Sequence, residues 1–257
     1  MALSLHHRIA GEAGPSLVLV HGLLGSGSNW GGVVRRLQAG HRLYLPDLRN
    51  HGRSPWSPRM DYDALAGDLV ALASDEGLDE AWWLGHSMGG KAVMRLALRH
   101  PERVRGLIVA DIAPVPYSDR FTPLIDALEA LPPARIEDRR QADALLARSI
   151  HAPAVRAYLL QNLLRNAAGW RWRCNLEALR THLPQLLDFP TAGGVPFPGP
   201  TLFIRGARSD YVRERDRPVI QRWFPRARIQ TLEAAGHWLY SERPDAFSEQ
   251  VRAFVRA

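Results

Sequence analysis

Along this chain, short apolar runs alternate with longer stretches in which apolar residues return every three or four positions. Runs at 17–20, 42–45, 81–84, 106–110, 201–205 and 228–232 have strand length, and a further strand is expected near 5–9. Between them, segments such as 63–74 and 91–99 carry the 3.6-residue period of an amphipathic helix, and another helix is expected from Pro244. Strands separated by helices are joined by crossovers. The pattern therefore predicts an α/β fold, a mostly parallel twisted sheet flanked by helices.

The alternation breaks between residues 115 and 187. That stretch reads as helical throughout, with patterns near 122–130, 137–150, 154–164 and 176–187. Lying after one strand and before the next, it is expected to form a helical cap over the sheet edge, residues 115–187, with 1–114 and 188–257 forming the core. The Gly/Pro-rich residues 190–200 return the chain to the sheet. Leu159, Leu160, Leu163, Leu164, Trp170 and Trp172 read mainly as the cap's own core, with a pocket wall as the alternative. There is no internal repeat.

Length and composition fit one domain: 257 residues, 46% hydrophobic, are enough for a large core. The single Cys174 leaves no intramolecular disulfide, and no His/Cys spacing suggests a metal site. The net charge of +7 invites a nucleic-acid reading, but arginine supplies 32 of the 33 basic residues and is scattered from Arg8 to Arg256. No aromatic-interleaved basic run or nucleic-acid module appears, so no nucleic-acid partner is expected. No segment is apolar enough to span a bilayer, and the first residues lack the pattern of a signal peptide, which makes the cytoplasm the expected compartment.

The chemistry concentrates at Gly85-His86-Ser87-Met88-Gly89, between a buried strand and a helical pattern. A sharp strand-to-helix turn strains the residue at its apex and demands nearly side-chain-free neighbours two positions away on each side. It also lifts the Ser87 hydroxyl to a helix N-terminus, where free amides favour developing negative charge. This is the G-x-S-x-G arrangement of a nucleophilic serine. Lys91, the only lysine, falls in the first turn of the following helix, where a cation opposes the dipole; no role follows from its position.

A serine nucleophile needs a base, an orienting acid and an oxyanion hole. His237, in a late post-strand loop, lies where the order Ser, acid, His requires the base. The backbone amides of Met88 and Leu23 are the candidates for the oxyanion hole, the latter in the loop His21-Gly22-Leu23-Leu24-Gly25. That loop lacks the spacing of either phosphate-binding motif. Asp111 and Asp210 each follow a strand, and position alone does not choose between them as the acid. His86, Leu24 and Trp238 are candidates for the pocket wall.

The motifs HGLLGS, DLRNHGRS, GHSMGGKAVM, ADIAPVPY and AGHWLYSERPD run in this order across nearly the whole chain. Together they resemble the α/β-hydrolase superfamily, and within it the YbfF-type bacterial esterases and acyl thioesterases. The resemblance implies the α/β-hydrolase fold with Ser87 as nucleophile, His237 as base and the Leu23 and Met88 amides as oxyanion hole. Many superfamily members carry the acid in a G-x-x-D motif; here Ser209 holds that place and Asp210 is shifted by one. YbfF-like proteins carry an aspartate in the segment that matches Asp111, so the resemblance implies Asp111, with Asp210 as the alternative. It implies no cofactor, and a small-molecule substrate: a short- to medium-chain acyl ester, with acyl-CoA thioesters as a further class. Other hydrolase chemistries (perhydrolysis, lactone or C–C bond hydrolysis) and a non-enzymatic small-ligand receptor on the same scaffold are the alternatives.

Overall fold

Residues 1–167 and 169–256 are described here in a computed structural model. The chain opens with β1 (His7–Ala10), β2 (Ser16–Val20), α1 (Gly31–Leu37), β3 (Arg42–Pro46), α2 (Tyr62–Asp75), β4 (Ala81–His86), α3 (Met88–Arg99) and β5 (Val104–Ala110). An insertion follows, with α4 (Thr122–Glu129), α5 (Arg139–Leu146), α6 (Pro153–Leu160), β6 (Leu163–Asn166), β7 (Gly169–Trp172) and α7 (Leu176–Leu187). The core resumes with β8 (Thr201–Gly206), α8 (Arg217–Trp223), β9 (Ala227–Leu232), α9 (Leu239–Glu242) and α10 (Pro244–Arg256).

Seven strands form one sheet in the order β1-β3-β2-β4-β5-β8-β9, parallel except for β1 against β3. Helices cover both faces, so the central strands are apolar on both sides and read as continuous runs. Along β2 the alternation still sorts the faces. Leu17 and Leu19 pack with Trp30, Val33, Phe247 and Val251 of the α1/α10 layer, whereas Val18 and Val20 join the α2/α3 layer.

Two local devices fix the loops near the site. The Asp61 carboxylate accepts from the Ala64 amide at 2.8 Å and so caps α2. Arg49, in the loop after β3, binds Asp68 of α2 through both carboxylate oxygens at 2.6 and 2.7 Å, with both side chains buried. A paired, bidentate geometry is what lets such charges leave water.

The insertion is not helical throughout. The helix expected at 154–164 ends at Leu160, and β6 pairs with β7 in an antiparallel hairpin. Asn162 explains the break: its side-chain amide donates to the carbonyls of Leu159 and Leu24, competing with helical continuation. Beyond it, Trp170-Arg171-Trp172 alternates with period two, a strand signal in a stretch too short to stand out. The helix expected at 137–150 is shorter, Arg139–Leu146, and β1 begins two residues later than expected.

Candidate active site

Ser87 sits between β4 and α3 with φ 52° and ψ −121°, a conformation that L residues adopt only under constraint. The constraint is local. A Cβ on Gly85 would lie 2.3 Å from the Gly89 carbonyl oxygen, and one on Gly89 would lie 2.4 Å from those of Val20 and His21. No other residue fits at either position, which is the physical content of the glycine spacing in the sequence. The Ser87 amide donates to Ala110 O at 3.1 Å, tying the turn to β5.

His237, in the loop between β9 and α9, places Nδ1 2.8 Å from Oδ2 of Asp111. A carboxylate only accepts, so Nδ1 carries the hydrogen and Nε2 keeps its lone pair. Asp111 follows β5 directly and is fully buried. Its Oδ1 accepts from the Gly206 amide at 3.0 Å, and its Oδ2 also accepts from the Ser209 hydroxyl. Asp210, by contrast, is half-exposed and bound by Arg120 at 2.6 and 3.0 Å and by Arg213 at 2.9 Å. The Arg120 guanidinium, with Arg213 behind it, holds its carboxyl down to about 2. Of the two aspartates the sequence offered, Asp111 is the one brought to His237.

Two aromatic residues fix the imidazole further. The Tyr211 ring stacks on His237 at 3.9 Å and 17°, and Nε2 of His86 donates to the His237 carbonyl at 2.8 Å. Burial, reinforced by His237, holds the His86 imidazole well below its ordinary value, so it stays neutral.

The amides of Leu23 and Met88 have no hydrogen-bond acceptor among the described residues, and both residues line the cavity at Ser87. The peptides on either side of Leu23 are pinned. His21 Nδ1 donates to Gly22 O at 2.8 Å, and the Leu24 amide donates to Nε2 of His51 at 3.0 Å. From the insertion, Tyr158 donates to Leu23 O and Asn162 to Leu24 O, at 2.8 and 2.7 Å. Burial pushes His21 down and His51 down to about 3, which keeps both rings neutral and available as acceptors.

Two cavities of about 220 Å³ each meet at Ser87. The one on the His237 side is walled by His86, Leu24 and Trp238, as the sequence suggested, together with Phe121, Leu124, Tyr158 and Leu159. Of the insertion residues read as core or pocket, Leu159 reaches a cavity; Leu160, Leu163, Leu164, Trp170 and Trp172 reach neither. Tyr211, Tyr158 and Asn162 escaped sequence reasoning, because each acts on a residue far away in the chain and belongs to no short motif; His51 and Ser209 lie within stretches the motifs cover, but their partners Leu24 and Asp111 are just as remote in sequence.

The family described as alpha/beta hydrolase fold matches residues 15–244. The chain is 37% identical over 240 residues to Esterase YbfF of Escherichia coli strain K12, covering 93% of this chain and 92% of that one. It is 38% identical over 249 residues to the sn-1-specific diacylglycerol lipase ABHD11 of Mus musculus, covering 94% of this chain and 81% of that one. Among solved structures, a marine microorganism esterase superposes with a TM-score of 0.96 at 36% identity, over 98% of this chain and all of that one.

Proposed function

This chain belongs to the α/β-hydrolase family, and from that premise we propose that it hydrolyses carboxylic esters through an acyl-enzyme on Ser87. The observation that carries the reading is the 2.8 Å bond from His237 Nδ1 to buried Asp111, in a cavity wall that also holds the strained Ser87. Relatives named as an esterase and a lipase support the same chemistry.

In this mechanism Ser87 Oγ attacks the ester carbonyl while His237 Nε2 takes its proton. Asp111 holds the tautomer and stabilises the imidazolium that forms. The carbonyl oxygen, becoming an oxyanion, takes hydrogen bonds from the Leu23 and Met88 amides, which are already fixed and require no reorganisation. His237 then returns its proton to the leaving alkoxide and activates water to release the acid. Residues 115–187 act as a cap that covers the acyl pocket and excludes water from it. Short- to medium-chain acyl esters are the substrates, with acyl-CoA thioesters sharing the same first step.

The test is a chain-length series of p-nitrophenyl esters and acyl-CoA thioesters, given to the wild type and to Ser87→Ala. Turnover in Ser87→Ala is expected to fall by roughly four to six orders of magnitude with the fold intact. Near-normal hydrolysis by that variant would remove Ser87 from the chemistry.

A further inference from the structure

The two cavities at Ser87 differ in chemistry. Apart from the reacting groups and Arg120 at the shared edge, the arm on the His237 side is walled by aliphatic and aromatic side chains. The other arm is lined by Lys91, Arg120, Arg213 and Arg215 against the carboxylates of Asp210 and Asp216, an excess of positive charge. The arginines belong to the half-exposed or exposed rim, where Asp210 already pairs with two of them. Lys91 does not. It stands one helical turn after Ser87 on α3 and is only 1% exposed.

Its Nζ donates to the carbonyls of Leu187 and Asp188 at 2.8 Å each and lies 4.7 Å over the Tyr117 ring. Two of the three ammonium hydrogens thus go to main-chain oxygens. Among the described residues no carboxylate forms an ion pair with it, and Asp188 acts on it only from longer range. Lysine is rarely buried without an anionic partner, because carbonyl dipoles do not replace the lost hydration of a full charge. Burial accordingly lowers the ammonium to about 7. The neighbouring phenols cannot serve a ligand oxygen as donors: the Tyr62 hydroxyl is spent on Leu186 O and that of Tyr117 on Tyr211 O. Lys91 therefore brings the remaining hydrogen, and the uncompensated charge, to the wall of this arm.

We propose that this arm is a subsite for a carboxylate carried by one half of the ester, with Lys91 as the specificity-determining group. The substrates are then monoesters of dicarboxylic acids or esters of hydroxy acids, their apolar half lying in the other arm. A monoanion matches one cation with one hydrogen to give; a phosphate dianion would leave charge and acceptors unmatched at this depth. The inference rests on the ester-hydrolase reading above.

Two isosteric pairs test it, each exchanging a terminal carboxylate for an isopropyl group. Monomethyl adipate is compared with methyl 6-methylheptanoate, and 4-acetoxybutanoate with 4-methylpentyl acetate, by acid release in wild type, Lys91→Met and Ser87→Ala. In wild type, kcat/KM should favour the carboxylate in at least one pair by roughly tenfold or more, the scale of a charge-assisted contact made in a dry site. Lys91→Met should reduce that ratio by a similar factor; because each ratio is taken within one protein, a general loss of activity cancels. A wild type that prefers the isopropyl end in both pairs overturns the inference, and does so even should Lys91→Met fail to fold. So does a carboxylate preference that survives in Lys91→Met. Release from the neutral esters that requires Ser87 keeps the hydrolase reading standing in either case, whereas release from none of the four esters removes that reading and this inference with it.

Discussion

The hydroxyl of Tyr158 donates to the carbonyl of Leu23 at 2.8 Å, joining residues 135 positions apart and tying the inserted helices to the loop that carries the proposed oxyanion amide. The same peptide is held at its other end by His51, which accepts from the Leu24 amide. The direction of the Leu23 amide thus depends on a contact across two parts of the structure.

Tyr158→Phe keeps the ring against Trp238, whose centroid is 5.5 Å away, and removes only the hydrogen bond. One uncharged hydrogen bond contributes about 1 kcal/mol, so kcat should fall up to about tenfold. KM should change little, because the amide matters most when the carbonyl oxygen becomes charged. Steady-state kinetics on a short-chain p-nitrophenyl ester read the split. An unchanged kcat would mean the loop holds its shape without the Tyr158 hydroxyl.

Asp111→Asn and Asp210→Asn separate the two acids. The first removes the acceptor that fixes the His237 tautomer and should cost about 10⁴ in turnover; the second breaks an exposed pairing with Arg120 and Arg213 and should change it only a few-fold. The reverse order in single-turnover assays would move the acid to Asp210.

Much of this was legible in the sequence because it is local. The glycines around Ser87 announce a backbone that no Cβ can enter, and the apolar runs at 17–20 and 106–110 announce strands buried on both faces. The acid resisted, because Asp111 and Asp210 both follow strands and only the three-dimensional path decides which reaches His237. Ser209 shows why the usual place misleads: its hydroxyl occupies that place and donates to Asp111 instead of supplying the carboxylate. The hairpin 163–172 was hidden because each strand has four residues, too few for a period to declare itself.

Stability should fall with acid. His21, His51 and His86 are buried and held below their ordinary value of 6.5 in the folded protein, chiefly by desolvation, with His51 at about 3. Unfolding frees them to take protons at pH below about 6.5, so the unfolded state binds more protons and gains relative to the folded one. The stability they contribute is fully present above that pH and is lost as pH falls from about 6.5 towards 3, with a slope of at most about 1.4 kcal/mol per pH unit for each group. Urea midpoints at pH 7.5, 6 and 5 should decline accordingly, and a His51→Gln variant should decline less steeply. A midpoint constant over that range would mean the rings are protonated while folded.

The most severe test of the scaffold is the pair Arg49–Asp68. Both side chains are buried, and the guanidinium joins the loop that carries His51 to α2. Arg49→Met removes the cation and leaves the Asp68 carboxylate in the core, where its Oδ1 retains the Leu3 amide at 2.6 Å and no compensating charge. Breaking a buried pair on one side costs about 3–5 kcal/mol, much more than the pair itself contributes, because the stranded ion has lost its water. In a chain of this length that corresponds to a fall in Tm of roughly 10 °C. The double variant Arg49→Met/Asp68→Leu removes both charges and should recover much of the loss, since two apolar groups of similar volume need no solvation. Thermal unfolding of the two variants and the wild type measures the difference. A double variant no more stable than Arg49→Met would show that the loop needs the hydrogen bond from Arg49 to the Arg59 carbonyl, 2.9 Å, more than it needs charge balance.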